Sequence, residues 1–269
     1  MLFSREQKSA LSAFFQRLKS HKHKNETGKR KEAKIEQILA YLEVVHAQLK
    51  KYSKKRNLIC IESGAGNCYL SFLVYYFYKE IDRRPVEIHC LDTNGRLMEK
   101  GRQRARALQF DHMYFHACDI ADFTMPDSVH LVYSLHACDS ATDKALYLGL
   151  RQNATCILSV ACCQHMIGRQ LRAHPYSGIT RHHVFKDRVV YMVGDALRAL
   201  LLEMRGYRVD IFEFVSSRYT DKNVMLRARK GNTKDISKLR EEYVLLRSAF
   251  HVIPSLEKYL DGRDNNRTR

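Results

Sequence analysis

The feature that most constrains this chain is a change of hydrophobic period near residue 57. Before it, apolar residues recur every three or four positions; after it, short unbroken apolar runs alternate with segments of helical length. The runs cover residues 58–61, 86–91, 130–135 and 155–160, and a further strand is expected over 112–117. Continuous apolar runs suit strands buried on both faces. Residues 69–80, 95–108 and 140–151 between them read as helices. Strands alternating with helices predict a doubly wound α/β fold with a mostly parallel sheet and right-handed crossovers. Residues 207–215 and 224–229 instead alternate apolar with polar, as a half-exposed antiparallel pair at the sheet edge would.

The part before the period change reads as a helical extension. Ala10, Leu11, Phe14, Phe15 and Leu18 predict an amphipathic helix over 6–18. A basic, glycine-containing loop is expected over 21–31. A second helix over 32–51 carries Ile35, Ile38, Leu39, Leu42, Val45 and Leu49 on one face, which predicts packing on the core that follows. The resulting division is an N-terminal extension over 1–56, a main domain over 57–230, and a C-terminal helix and tail over 231–269, with 265–269 disordered.

Charge narrows the partners. The chain has 46 Lys and Arg against 29 Asp and Glu, a formal charge of +17, which attracts polyanions and puts nucleic acid first among expected partners. No apolar run approaches the roughly 18 residues of a membrane helix, and the opening residues lack a signal-peptide core. A cytoplasmic location is expected. Cys60, Cys90, Cys118 and Cys156 fall in or beside strand-like runs, and no two cysteines have CxxC spacing, so neither a disulfide framework nor a closed zinc site is expected.

The most informative stretch is Cys60-Ile61-Glu62-Ser63-Gly64-Ala65-Gly66-Asn67-Cys68-Tyr69-Leu70-Ser71, in which a buried strand enters a Gly-x-Gly turn that opens a helix. Glycine there lets a ligand approach the backbone closely. Tyr69 stands where a dinucleotide fingerprint needs a third glycine, so a dehydrogenase is disfavoured. The second strand ends in Asp92 and Thr93, where a carboxylate can accept from a ribose diol or, alternatively, cap the next helix. Asp119 and Ile120 follow the third strand. His136-Ala137-Cys138-Asp139 follows the fourth strand, after Leu135, and Ala161-Cys162-Cys163-Gln164-His165 follows the fifth. Both groups should meet over one cleft, where they could line a pocket, hold zinc or supply a nucleophile. Continued strand geometry would point Cys162 and Cys163 to opposite sides, against joint metal ligation. Between 166 and 188, Arg169, Arg172, His174, Arg181, His182, His183, Lys186 and Arg188 surround Tyr176 and Phe185, a mixture suited to phosphates and bases or to a solvated face.

This order of motifs resembles the class I, S-adenosylmethionine-dependent methyltransferases, in particular the methyltransferase-domain family of methyltransferase-like proteins. The matching residues are Glu62 to Ser71, His136-Ala137-Cys138-Asp139, Cys162-Cys163 and Thr220-Asp221-Lys222-Asn223, across residues 35–260. The His-Ala-Cys and Cys-Cys elements are also similar to the tRNA 2'-O-methyltransferases. The resemblance implies a seven-stranded Rossmann-like sheet with S-adenosylmethionine across the first two strand ends. It assigns Glu62, Gly64 and Gly66 to the methionine part of the donor and Asp92 to its ribose, sets Asp119 and Ile120 beside the adenine, and adds Ser63, Ala65, Thr93 and Leu135 to the donor-binding set. His136, Cys163 and His165 become the candidate catalytic residues, an imidazole taking a proton and Cys163 shaping the acceptor pocket. Two positions depart from the family pattern, Glu62 in place of Asp and Cys68 in place of Gly.

The expected function is therefore methyl transfer to RNA, with no metal. A non-catalytic RNA-binding protein on the same fold is the alternative from another class, and a methyltransferase acting on protein or a small molecule is a third. Donor binding separates the first two, and RNA binding across a salt series separates the first from the third.

Overall fold

The change of period marks the point where helices give way to a sheet. The computed structural model describes residues 2–19, 28–126, 128–135, 137, 139–171, 174–231 and 235–262. Helices α1 (Arg5–Lys19) and α2 (Gly28–Leu49) come first, followed by β1 (Leu58–Ser63), α3 (Tyr69–Tyr76), β2 (Val86–Asp92), α4 (Gly95–Ala107), β3 (Met113–Ala117) and β4 (Leu131–Leu135). Then come α5 (Ser140–Arg151), β5 (Cys156–Val160), α6 (His165–Gln170), α7 (Ser177–Thr180), α8 (His183–Glu203), β6 (Tyr207–Glu213), β7 (Val224–Lys230), α9 (Ile236–Phe250) and α10 (Ser255–Leu260).

The strands form one seven-stranded sheet in the order β3-β2-β1-β4-β5-β7-β6. The first five pair in parallel, and β7 runs antiparallel to both β5 and β6. This is the doubly wound fold that the pattern predicts, with its antiparallel edge. The strand order reverses between β1 and β4, so the crevice beyond their carboxyl ends is where an open α/β sheet binds ligands.

One core lies on each face of the sheet. On the first, α1 contributes Leu11, Phe14, Phe15 and Leu18, and α2 contributes Ile38, Leu39, Leu42, Val45 and Leu49, so both helices of the extension are packed as the amphipathic stripes predict. The Phe14 ring stacks on Tyr76 at 4.1 Å between centroids. Tyr41 reaches deeper, its hydroxyl donating to the carbonyls of Ser134 (3.0 Å) in β4 and Leu158 (3.2 Å) in β5. On the other face, α5 and α8 lie against the sheet, and α6, α9 and α10 pack on them in the same core. Cys60, Cys90 and Cys156 are buried in strands and Cys118 is half-buried; burial pushes the Cys156 thiol up to about 12.

Several boundaries differ from expectation. α2 begins at Gly28, taking in four residues expected in the loop, because Lys and Arg sustain a helix once an apolar stripe anchors it. The remainder of that loop and the tail over 265–269 lie outside the described residues. The helix expected over 69–80 widens into a π turn at Phe77–Ile81. The basic stretch over 166–188 contains α6, α7 and the start of α8. The single C-terminal helix is two: His251 closes α9 in the left-handed region (φ 54°), and Pro254 starts α10 where its missing N–H costs nothing.

Candidate active site

The loop after β1 turns on three left-handed residues, Gly64 (φ 69°), Gly66 (φ 53°) and Cys68 (φ 58°). Glycine suits the first two. Cys68 stands at the N-cap of α3 and makes no side-chain cap bond. The acceptor that α3 lacks comes from β1: Glu62 Oε2 accepts from the Ser71 amide at 3.2 Å and from the Ser71 hydroxyl, whose oxygen lies 2.6 Å from the Tyr133 hydroxyl. Glu62 is 4% exposed. Burial pushes its carboxyl up to about 7, against the pull of the Ser71 hydrogen bonds. Its carboxylate thus holds the first turn of α3 from beneath the loop.

Asp92, at the end of β2, pins the top of that loop. Its Oδ2 accepts from Gly66 N at 2.8 Å and its Oδ1 from Asn94 N at 2.9 Å. The cap of α4 is Asn94, whose Oδ1 accepts from Leu97 N at 3.2 Å, so capping is not the work of Asp92. A carboxylate offers about four lone-pair sites; two are used, leaving acceptor capacity for a diol. A Cβ at Gly66 would meet nothing within 4 Å, and one at Gly64 would lie 3.4 Å from the Cβ of Ala137 in the loop after β4. The buried Ser63 hydroxyl has no hydrogen-bond partner among the described residues. Open space over Gly66, an unpaired Ser63 hydroxyl and unused Asp92 lone pairs fit a nucleoside donor laid across β1 and β2. Ala65 is buried, its N–H donating to Leu91 O at 2.9 Å, and Thr93 is exposed.

After β3, Asp119 Oδ1 accepts from Ala121 N at 2.9 Å and Oδ2 pairs with Lys144 of α5. Burial works to raise its carboxyl, but Lys144 and the Ala121 N–H outweigh it and hold the group below the usual carboxylate range. Ile120 is packed in the second core, and Leu135 is half-buried at the end of β4.

The loops after β4 and β5 meet, as their strand positions predict. Asp139 joins them: its N–H donates to Cys163 O at 3.3 Å, and its Oδ1 accepts from Met166 N at 2.7 Å. That carboxylate serves the first turn of α6 instead of α5, where Asp139 is the N-cap without a side-chain bond. Its backbone is strained, at φ 56° and ψ −120°. His136 and Cys138 lie outside the described residues. Cys162 and Cys163 do not diverge as an extended strand would require: their sulfurs are 3.9 Å apart, because β5 ends at Val160 and the following backbone turns. His165 is exposed at the start of α6. No group of three or more potential metal ligands occurs among the described residues.

Two neighbours of this corner carried no assigned role in the sequence. Tyr191 of α8 donates its hydroxyl to Cys162 O at 2.7 Å, and the Lys222 ammonium sits 4.3 Å from the Tyr191 ring centroid. Burial and the neighbouring thiols raise the Tyr191 phenol, against the pull of Lys222. Lys222 lies in the quoted Thr220-to-Asn223 element, a signal that was available; Tyr191 had none. Beneath them, Arg198 bonds both oxygens of Asp143 (2.7 and 3.2 Å) and Asp195 (3.1 Å), and Gln164 Nε2 donates to Asp195 at 2.9 Å. This buried network ties α5, α8 and the loop after β5 together.

No curated protein matches. Among solved structures, the chain is distantly similar to the methyltransferase domain of a citrinin polyketide synthase (15% identity, TM-score 0.49, covering 72% of this chain and 52% of that one). It is similar at the same distance to a geranyl diphosphate methyltransferase in complex with SAM (14%, TM-score 0.48, 77% and 92%). A third is the magnesium protoporphyrin IX methyltransferase of Synechocystis PCC 6803 with bound SAM (11%, TM-score 0.48, 86% and 100%). The family profile described as a methyltransferase domain matches residues 33–170, from within α2 through β1, the pinned glycine loop and Asp92 to α6. That span is just over half of the sequence, and the chain belongs to the methyltransferase-domain family.

Proposed function

We propose that the protein is an S-adenosylmethionine-dependent methyltransferase whose acceptor is RNA. The observation that carries the donor is Asp92, fixed beside the glycine loop by Gly66 N and Asn94 N with lone pairs to spare, on the strand next to the point where the strand order reverses. When bound, S-adenosylmethionine supplies a sulfonium methyl group, whose displacement needs alignment more than an elaborate acid and base set. The chain provides that alignment. Asp92 accepts from the ribose hydroxyls, Ser63 and the left-handed glycines admit the donor close to the backbone, and Glu62 holds α3 and so the shape of the loop.

The acceptor enters from the side of β4 and β5, where Asp139 locks the two loops and Cys163 shapes the wall. His165, exposed beside it, and His136 are the candidate proton acceptors, since an imidazole titrates near neutrality. The formal charge of +17 supports a polyanionic acceptor. No helix among the described residues is long and apolar enough to cross a membrane, and a cytoplasmic location belongs to this proposal. The test is to incubate the purified protein with methyl-labelled donor and a cell extract, then digest with nuclease or protease. Label released by nuclease is the expected result; label released by protease alone refutes an RNA acceptor.

A further inference from the structure

The first turns of α8 carry a surface that neither the donor site nor the core uses. Val190 and Val193 turn inward, Val190 packing towards Gly168 of α6. Outward, positions three and four apart share a face, and there Phe185 (48% exposed), exposed Arg188 and Met192 (71% exposed) follow one another. Exposed Arg181 extends the row just before the helix. Within the helix the row from Phe185 to Met192 runs about 10 Å at 1.5 Å per residue. Its near end is the acceptor corner, because Tyr191 is bonded to Cys162 O and carries Lys222 over its ring.

Large apolar side chains exposed in a row call for a partner, and the chemistry of this row selects one. Cations spaced along it suit phosphates, and the ring between them gives a base a stacking surface, the combination that holds single strands without reading sequence. An acidic peptide would engage the arginines but brings a flat group to Phe185 only where it carries an aromatic side chain, whereas every nucleotide pairs a phosphate with a base. We propose that this face of α8 is the track along which an unpaired RNA segment lies as its acceptor nucleotide enters the corner at Cys163, an inference that rests on the RNA reading above.

The experiment measures binding of the full chain to a labelled single-stranded RNA of about 12 nucleotides, within the range of single-strand site sizes, over a salt series. Arg181→Glu with Arg188→Glu should weaken binding at least about tenfold and lower the slope of log affinity against log salt by about 1.4, two phosphate contacts. Phe185→Ala should cost at least about fivefold with the slope unchanged. The charge-matched control Lys51→Glu with Lys55→Glu, exposed at the amino end of β1 and so away from the carboxyl ends that form the corner, should bind like the unaltered protein; thermal unfolding verifies that each variant is folded. Equal loss in the control, or no loss in the α8 variants, overturns the track and leaves the RNA acceptor standing. Failure of the unaltered protein to bind RNA at all, including a preference for anionic vesicles alone, overturns both.

Discussion

Replacing Glu62 with Gln tests whether a buried carboxyl supports the helix behind the donor loop. The group titrates near pH 4.5 in a free chain and at about 7 here, because it is buried beneath the loop and its two Ser71 hydrogen bonds do not make up for lost water. A folded value above the unfolded one means that its stabilising contribution is complete below pH 4.5 and is lost as pH rises through about 7. At 1.36 kcal/mol per pH unit, that gap amounts to about 3 kcal/mol between pH 4.5 and pH 8. Glutamine keeps an acceptor for the Ser71 amide and hydroxyl but does not ionise. Glu62→Gln should therefore match the unaltered protein near pH 4.5 and exceed it by about 3 kcal/mol near pH 8. Urea unfolding at pH 4.5, 6, 7 and 8 measures the difference directly, and subtracting the two curves removes groups such as His116, whose own imidazole is held down to about 4 by burial, His89 and Arg102. A difference that stays constant with pH would refute the placement of an ionisable Glu62 against Ser71.

Other perturbations test the remaining supports. Asp92→Ala should weaken binding of S-adenosylhomocysteine by about 1 to 3 kcal/mol in calorimetry, through lost acceptors for the ribose and a loop no longer pinned at Gly66; unchanged affinity in a folded variant would remove Asp92 from the donor site. Arg198→Met leaves Asp143 and Asp195 buried without their cation and should cost about 3 to 5 kcal/mol in urea unfolding. A loss under 1 kcal/mol would show that water reaches that network. Tyr41→Phe removes the hydroxyl donated to Ser134 O and Leu158 O and should cost about 1 to 3 kcal/mol, read as a lower midpoint in the same titration.

Much of the fold was legible because burial leaves a periodic trace. The four apolar runs became β1, β2, β4 and β5, the strand expected over 112–117 became β3, and the alternating pair became the antiparallel β6 and β7, since covered and half-exposed strands require different patterns. The glycine turn was equally legible: Gly64 and Gly66 are left-handed just beyond the end of β1, and Asp92 stands at the end of β2. The course of residues 166–188 was not, because there the chain is dominated by cations that are equally at home on a loop or a helix face.

What the sequence determined by itself is local and periodic: where strands and helices lie, which faces are apolar, and which turn needs glycine. What only the tertiary structure decided is where polar groups with several possible partners spend their bonds. Glu62 could have faced the cleft, yet it caps α3 because Cys68 cannot; Asp92 could have capped α4, yet Asn94 does so and frees it for the loop. Asp139 left its own helix for Met166, and Tyr191 found Cys162 across 29 residues. Such choices follow from distances between elements far apart in the chain, and a hydrogen bond, which decays within an ångström of its optimum, leaves no periodic mark in the sequence.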